Sequence, residues 1–438
     1  MRSRSAGAWL LRKEWRELIA SRSFWLMLVL VGPLVGISFI PAVHTYAEIS
    51  AGAGSGCGPV CAPLDGIWAP AFSAYEIAAI FLLPFVAIRQ VSGDRQSGAL
   101  KLELQRPVAP AIRIGAKALV LLAGSVVAMV PALIAVLLWM SYGGHVYAPD
   151  IFVVLAGHFL NAGLTISFAM AAASIADHPS TAAMLALGGT VGTWVLAFAG
   201  AVYGGIWASL ADYTPAALVA MFQHGLVRLD VILIALTLVA LGLSVAAVWT
   251  RIGRPLRSRL AATAGVAAIA TVLIGACSFV PGSVDVSESR RNSFGEAEER
   301  ALQRIREPLR IEAHLAPADP RRLELDRQAI AKLRRAMRSV EVTYVSRTSS
   351  GLYEGADPGY GEIWYELGGR RTLNRATTDE AVLETIFELA GVSPGEEDEQ
   401  AFPGYPLDAR PVGAAVMFYG VWPAVIAGLG FGKLRRPT

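Results

Sequence analysis

Charge is scarce in this chain. Only 17% of its 438 residues are Asp, Glu, Lys or Arg, against about 25% in an ordinary soluble domain. That excludes a conventional water-soluble enzyme for most of the length. Cysteine is scarcer still: Cys57, Cys61 and Cys277 are the three present, too few for a disulfide-knit secreted scaffold. A phosphate-cradling loop is missing as well. Such a loop needs a glycine five positions ahead of Gly-Lys and a Ser or Thr after the lysine. The nearest stretch, 427–434, offers Ala427 and Leu434 at those places. It reads as a helix end packed at a membrane face. No catalytic residues are expected, no metal and no directly bound cofactor, and nothing in the chain calls for a nucleic-acid partner.

Apolar residues dominate instead, at 54% of the chain, with a mean hydropathy of +0.49. The charge that exists is concentrated. Residues 282–410 hold 18 basic and 24 acidic side chains, more than half of the total of 73. The remainder therefore reads as membrane-embedded, and 282–410 as a water-soluble insert. A bilayer core of about 30 Å needs about 20 apolar residues per helix. Eight stretches qualify: 23–44, 67–88, 117–141, 151–176, 181–203, 231–250, 260–280 and 412–432. Segments 1–22, 89–117, 251–259 and 433–438 carry 19 Lys and Arg, whereas the short loops on the other side carry Arg228 alone. By the positive-inside rule both termini are cytoplasmic and 282–410 is extracytoplasmic. The expected fold is an α-helical polytopic membrane protein of eight transmembrane helices with a small extracytoplasmic α/β domain. Its expected home is the bacterial cytoplasmic (inner) membrane.

Two polar segments stand out. Residues 6–21 predict an amphipathic helix lying in the membrane interface, with Leu11, Trp15, Leu18 and Ile19 on the apolar side and Arg12, Lys13, Glu14, Arg16 and Glu17 on the other. The alternative is a basic flank that fixes topology. Residues 89–117 are too polar to span. They predict helix up to Arg106, ended by Pro107 because the residue before proline avoids the α region. A connector of this kind either docks a soluble partner or is simply solvated.

Lys13-Glu14-Trp15 ahead of the first span, Asp94 to Leu100 followed by Arg106-Pro107-Val108, and Gly115-Ala116-Lys117 resemble the ABC-2 type permease family over about residues 8–250. The chain departs from that pattern at Asp94, where Glu is commoner, and at Ala99, where Thr is commoner. The resemblance implies the membrane subunit of an exporter-like ABC transporter: residues 1–22 an interface helix, 23–250 a six-helix permease, and the 89–117 loop a coupling element for an ABC ATPase subunit. Asp94, Arg95, Gly98 and Lys101 are the expected ATPase contacts. ATP and Mg would be bound and used by the partner. A second permease half, as homodimer or related permease, is expected as well.

The insert has its own rhythm. Helix to Arg306, alternation over 308–315, helix from Asp319-Pro320 to Arg338, and alternation over 340–345 come first. A hairpin signal at Gly368-Gly369 and a capped helix from Thr377-Thr378-Asp379-Glu380 to Leu389 follow. The order β-α-β-β-β-α suits a thioredoxin-like domain without a redox cysteine pair. The stretch 292–391, with Pro308-Leu309-Arg310-Ile311 and Asp319-Pro320-Arg321, is similar to the extracytoplasmic domain of gliding-motility-associated (Gld) ABC transporter auxiliary proteins. The likeness implies a fused auxiliary domain with an envelope partner. Residues 260–280 and 412–432 would bracket it as seventh and eighth spans, with 392–410 as a tether.

Single residues complete the reading. Cys57 and Cys61 lie in an outer loop, where a local disulfide, two free thiols or a metal pair are all open. His44, His145 and His224 fall on the same side without ligand spacing. His158, inside the fourth span, is expected to hydrogen-bond a neighbour. Glu76 is a carboxylate within the second span and so a functional candidate by default, with Tyr75 and Ser73 as potential partners; the alternative is an offset span that sets Glu76 near the outer interface. Gly188, Gly192 and Gly200 allow close helix approach, at a dimer seam or within one chain. Two rivals to the permease reading remain open. One is a mechanical or scaffold envelope protein that relays ATPase motion. The other is a gradient-driven or metal-maturation permease using Glu76 and the outer histidines.

Overall fold

The structure is a computed structural model that describes residues 2–53, 57–96, 98, 108–203, 205–251, 253–280, 282–317, 319–346, 359–393, 402 and 404–434. It is mostly helical, and among the described residues eight helices are long and apolar enough to cross a membrane. These are Arg22–Gly52, Leu64–Asp94, Pro110–Ser141, Ala148–Ile175, Pro179–Gly200, Leu229–Trp249, Leu256–Cys277 and Val412–Lys433, called here the first to eighth spans. Helices suit this setting because each satisfies its own backbone polar groups. The chain is a multi-pass membrane protein.

Two compact units form: Met1–Val195 with Asp212–Val284 and Pro403–Thr438, and Leu196–Ala211 with Asp285–Phe402.

In the first unit the N-terminal helix Arg2–Ala20 ends at Ser21, whose amide donates to the Leu18 carbonyl. The chain then enters the first span directly. Trp25 Nε1 donates to the Ile19 carbonyl at 2.6 Å and fixes that corner. The first four spans share one apolar core containing Leu28, Val35, Phe39, Trp68, Phe72, Val120, Trp139 and Val154. The eighth span packs on the first. Trp422 Nε1 donates to the Leu28 carbonyl at 2.7 Å, and Phe39 meets Phe418 edge to face at 6.0 Å. Gly32 makes this approach possible, since a Cβ there would come within 2.0 Å of the Trp422 ring. The fifth and seventh spans are the least enclosed, with most of their side chains facing outward.

Helices run beyond the apolar stretches read from hydropathy. The first helix runs on to Ala53, and the helix of the second span continues to Gln96. Asp94 therefore sits on the end of a span rather than on a separate connector helix. Gly98 follows with φ +76, a left-handed conformation that breaks the helix. Residues 99–107, with Lys101 and the expected stop at Pro107, lie outside the described residues, as does the side chain of Arg95. Helix resumes at Pro110, in the first helical turn, where a missing amide costs nothing.

The second unit holds a four-stranded sheet in the order β2-β1-β3-β4: β1 is Leu309–Ala313, β2 Val340–Tyr344, β3 Ile363–Leu367 and β4 Arg370–Asn374. β1 and β2 run parallel, joined through helical turns over 320–336, while β1 with β3 and β3 with β4 are antiparallel. Leu309, Ile311 and Ala313 of β1 and Ile363, Tyr365 and Leu367 of β3 alternate into one core with Leu325, Ile330, Leu333, Val382 and Ile386. Gly368 and Gly369, both at positive φ, form the hairpin turn. Asp319 caps helix Pro320–Leu325 by accepting from the Arg321 amide at 2.9 Å. The capping expected of 377–380 differs: Thr378 stands at the N-cap of helix Asp379–Ala390 without a side-chain cap bond, and Thr377 Oγ1 donates to Glu324 instead.

Candidate functional site

The N-terminal helix presents Leu10, Glu14 and Leu18 inward at intervals of one turn; all three are buried, Glu14 at 1% exposure. This corrects the sequence reading, which set Glu14 on the polar side. An ionised carboxylate is buried only with a partner, and here the partner comes from the third span. Lys117 Nζ donates to Glu14 Oε2 at 2.7 Å and to the Gln90 carbonyl at 3.3 Å. It also lies 2.6 Å from Asp94 Oδ2, an ion pair rather than an aligned hydrogen bond. Lys13 borders the cluster, at 3.2 Å from Glu14, 3.0 Å from Glu17 and 3.7 Å from Asp94. Gln90 Nε2 donates to the Glu14 carbonyl at 3.2 Å.

Three elements thus meet at one knot: the N-terminal helix through Lys13, Glu14 and Glu17, the end of the second span through Gln90 and Asp94, and the start of the third through Lys117. Gly124 lets the helices close, because a Cβ there would come within 2.8 Å of Leu18. Burial pushes the Glu17 carboxyl above its usual range, and the neighbouring charges of Glu14 and Asp94 push it further, against the pull of Lys13 and Lys117. Glu14, Glu17 and Asp94 bring carboxylate oxygens close enough together to hold a cation. The ammonium groups of Lys13 and Lys117 already stand against those oxygens and serve that role.

Residues 8–216 match the ABC-2 family transporter protein model. Members of that family are the membrane subunits of transporters, and the match fits a membrane permease. No curated protein and no solved structure matches the chain. All the knot residues lie within the ABC-2 segment. So do three of the expected partner-contacting positions as the structure describes them. Asp94 is 6% exposed and turned to Lys117; Arg95 continues the same helix; Gly98 sits at the bend beyond it. Trp15 is half-buried on the N-terminal helix.

The other candidates are spread through the fold. Cys57 and Cys61 form a disulfide with their Cα atoms 5.6 Å apart, so neither thiolate is available to a metal. His44 pairs with Glu48 at 3.2 Å, His224 Nδ1 lies 2.8 Å from Asp65, and His145 stacks on Tyr405 at 3.9 Å. Among the described residues these groups do not assemble into a donor set. His158 does not hydrogen-bond a neighbour as expected. Both its ring nitrogens are buried without a partner, and the ring stacks on Phe72 and meets Tyr75 edge-on, each at 5.5 Å. Glu76 is half-buried and bonds neither expected partner, since Tyr75 donates to the Ser125 carbonyl and Ser73 to that of Pro70. Gly188 and Gly192 have no atom of this chain, beyond their own helix, within 4 Å of a Cβ position.

Sequence reasoning also missed a clasp at the opposite end of the spans. The 404–410 part of the stretch 392–410, read as a tether, is fastened to the first span. Leu407 exchanges two hydrogen bonds with the Ser50 hydroxyl, at 2.9 and 3.1 Å. The Tyr46 hydroxyl lies 2.5 Å from the Cys61 carbonyl and 2.9 Å from that of Tyr405. Buried hydroxyls need partners, but the burial of Tyr46 and Ser50 could not be read from a helix end that also carries His44, Thr45 and Glu48.

Proposed function

We propose that this chain is the membrane-spanning permease subunit of an exporter-like ABC transporter and takes its energy from ATP hydrolysed by a separate ATPase subunit. The observation that carries the reading is the buried knot of Glu14, Asp94 and Lys117. In the proposed orientation the knot lies at the cytoplasmic face, and residues 97–107, which follow Gln96 in the chain, are assigned to the ATPase contact. A push on that loop, or on the N-terminal helix, is then delivered to the second and third spans together, since the charges that join them cannot be separated cheaply in a poorly hydrated site. Asp94 acts in this scheme as a strut, and the contact with the ATPase falls to Arg95, Gly98 and Lys101.

The Cys57–Cys61 disulfide supports the same orientation. It follows the far end of the first span from the knot, and a disulfide persists on the oxidising side of a bacterial inner membrane. Residues 282–410 would be extracytoplasmic, with an envelope partner for the Gld-like domain. A second permease half completes the transporter, with ATP and Mg held by the partner. The metal-maturation alternative rests on Glu76 and the outer histidines, which form no donor set among the described residues.

The test is co-expression with the ATPase encoded nearest to this chain. Its copurification, lost on replacing residues 97–107 by a Gly-Ser linker, is the expected result. Recovery of the same ATPase with the replaced loop, or a maleimide that reacts with the Lys101→Cys variant at that position only from the exterior, would overturn the assignment.

A further inference from the structure

The third span begins with a charge in an unexpected place. The first turn of helix Pro110–Ala128 contains Arg113 and no acidic residue. The amides at a helix N-terminus favour anions and disfavour cations, so Arg113 does not help the helix that carries it. It is also buried, at 8% exposure, which a guanidinium tolerates only where it has partners. One partner is the Val108 carbonyl, which accepts from Arg113 Nη2 at 2.7 Å.

Val108 belongs to the stretch that joins the second span to the third. One helix ends at Gln96 and the next begins at Pro110. Lys117 stands one turn beyond Arg113, buried on the same side of the helix, and pairs with Asp94 just ahead of this connection. Two cations one turn apart on the third span thus hold both ends of it: Lys117 the entry at Asp94, Arg113 the exit at Val108. The two grips differ in kind. Lys117 meets a carboxylate and forms part of the knot. Arg113 meets a main-chain carbonyl, so it fixes where the backbone runs whatever side chain stands at 108.

We propose that Arg113 is a positioning residue for the ATPase contact: its guanidinium sets where the connection meets the third span, so that the exit from 97–107 is fixed before the ATPase arrives. Backbone ordered in advance need not be ordered at the moment of binding, and the saving appears as affinity. The proposal rests on the ATPase reading given above, but the grip of Arg113 on Val108 can be measured without it. Lysine is a partial substitute, since it keeps the charge and lacks the planar fork of donors.

The test uses the full chain in phosphatidylcholine nanodiscs. Cys277→Ser removes the free thiol, since Cys57 and Cys61 are bonded to each other. A spin label on Ala109→Cys, an exposed position beside Val108, then reports the exit directly and needs no ATPase. Arg113→Met should speed its motion several-fold, and Arg113→Lys should restore part of the restraint. Titration with the ATPase encoded nearest to this chain reads the consequence. The half-saturating concentration should rise about tenfold in Arg113→Met, the scale of one charge-assisted hydrogen bond, and return part of the way in Arg113→Lys. A chain that is merely destabilised lowers the plateau of that curve and leaves its midpoint in place. Should Arg113→Met not elute as a single species, Arg113→Gln carries the same expectation. Label motion unchanged by the neutral variant would overturn the clamp, and faster motion with an unmoved midpoint would overturn its positioning role. A wild-type chain that captures no ATPase would count against the ATPase reading instead, and the label would still decide the clamp.

Discussion

Replacing Lys117 by Met is the sharpest perturbation of the knot. Methionine keeps the length and apolar stem of lysine and removes only the charge. In the wild type the ammonium lies 2.7 Å from Glu14 and 2.6 Å from Asp94. At an effective dielectric constant of about 20, each contact represents roughly 6 kcal/mol of Coulomb attraction, most of it offset by the cost of drying the charges. The variant leaves two carboxylates, 1% and 6% exposed, without their main partner. Breaking a buried pair from one side costs about 3–5 kcal/mol. Lys13, still 3.2 and 3.7 Å from those carboxylates, places the expected loss near the lower figure. The measurement is the apparent Tm of the full chain in detergent, read by the fraction eluting monodisperse after heating. Lys117→Met should lower it by several degrees. Glu14→Gln combined with Lys117→Met should recover part of the loss, because the pair leaves together and only Asp94 remains to be satisfied. An unchanged Tm for the single variant, or strictly additive losses in the pair, would refute the idea that these charges hold the three elements together.

Four further outcomes are expected. Ser50→Ala, which removes both bonds to Leu407, should speed proteolysis within 404–410 and cost about 1–2 kcal/mol, seen as a shorter half-life under limited chymotrypsin, which can cut after Leu407. Reducing Cys57–Cys61 should cost about 2 kcal/mol, the chain-entropy value for so short a loop, visible as a lower Tm with reductant that a Cys57→Ser variant no longer shows. Gly32→Ala should displace Trp422 from Leu28, cost about 1–3 kcal/mol by overpacking, and change tryptophan fluorescence. Asp319 carries a pH signature. Burial alone would raise its pKa, but the hydrogen bonds from Arg321 and Tyr360 outweigh that and hold it below the ordinary value. Its stabilisation of the 285–402 domain is therefore complete above the unfolded value of about 3.9 and lost as pH falls through the lower folded value. Asp319→Asn should flatten the acid limb of an unfolding titration. An acid limb with the wild-type slope would count against that assignment.

Hydropathy was enough to locate all eight spans, since a bilayer demands long apolar runs and little else here supplies them. Alternation was enough to find the strands along the polar domain, because its sheet buries a single face, but not to give their order in the sheet. The failures have a common cause. Glu14 and Lys117 are 103 positions apart, and periodicity within one helix cannot see a partner on another, so Glu14 was placed with its charged neighbours. Asp94 was assigned to a separate polar connector because the apolar run ends before it, yet it continues the helix of the second span and pairs with Lys117. His158 invited a hydrogen bond and has aromatic rings instead. The Ser50–Leu407 clasp joins positions 357 apart, and its polar members look like ordinary helix residues until the neighbour is known.

The lean of the last helix on the first bears on how copies of this protein can assemble. Trp422 and Phe418 fill the grooves that Gly32 and Gly36 leave open, so that flank of the first helix is already occupied by the chain's own end. A companion subunit cannot claim the same flank without first prising the C-terminal helix away. Assembly must therefore be built on another side of the molecule, and cutting the chain ahead of Val412 would uncover a sticky surface that the intact protein never offers.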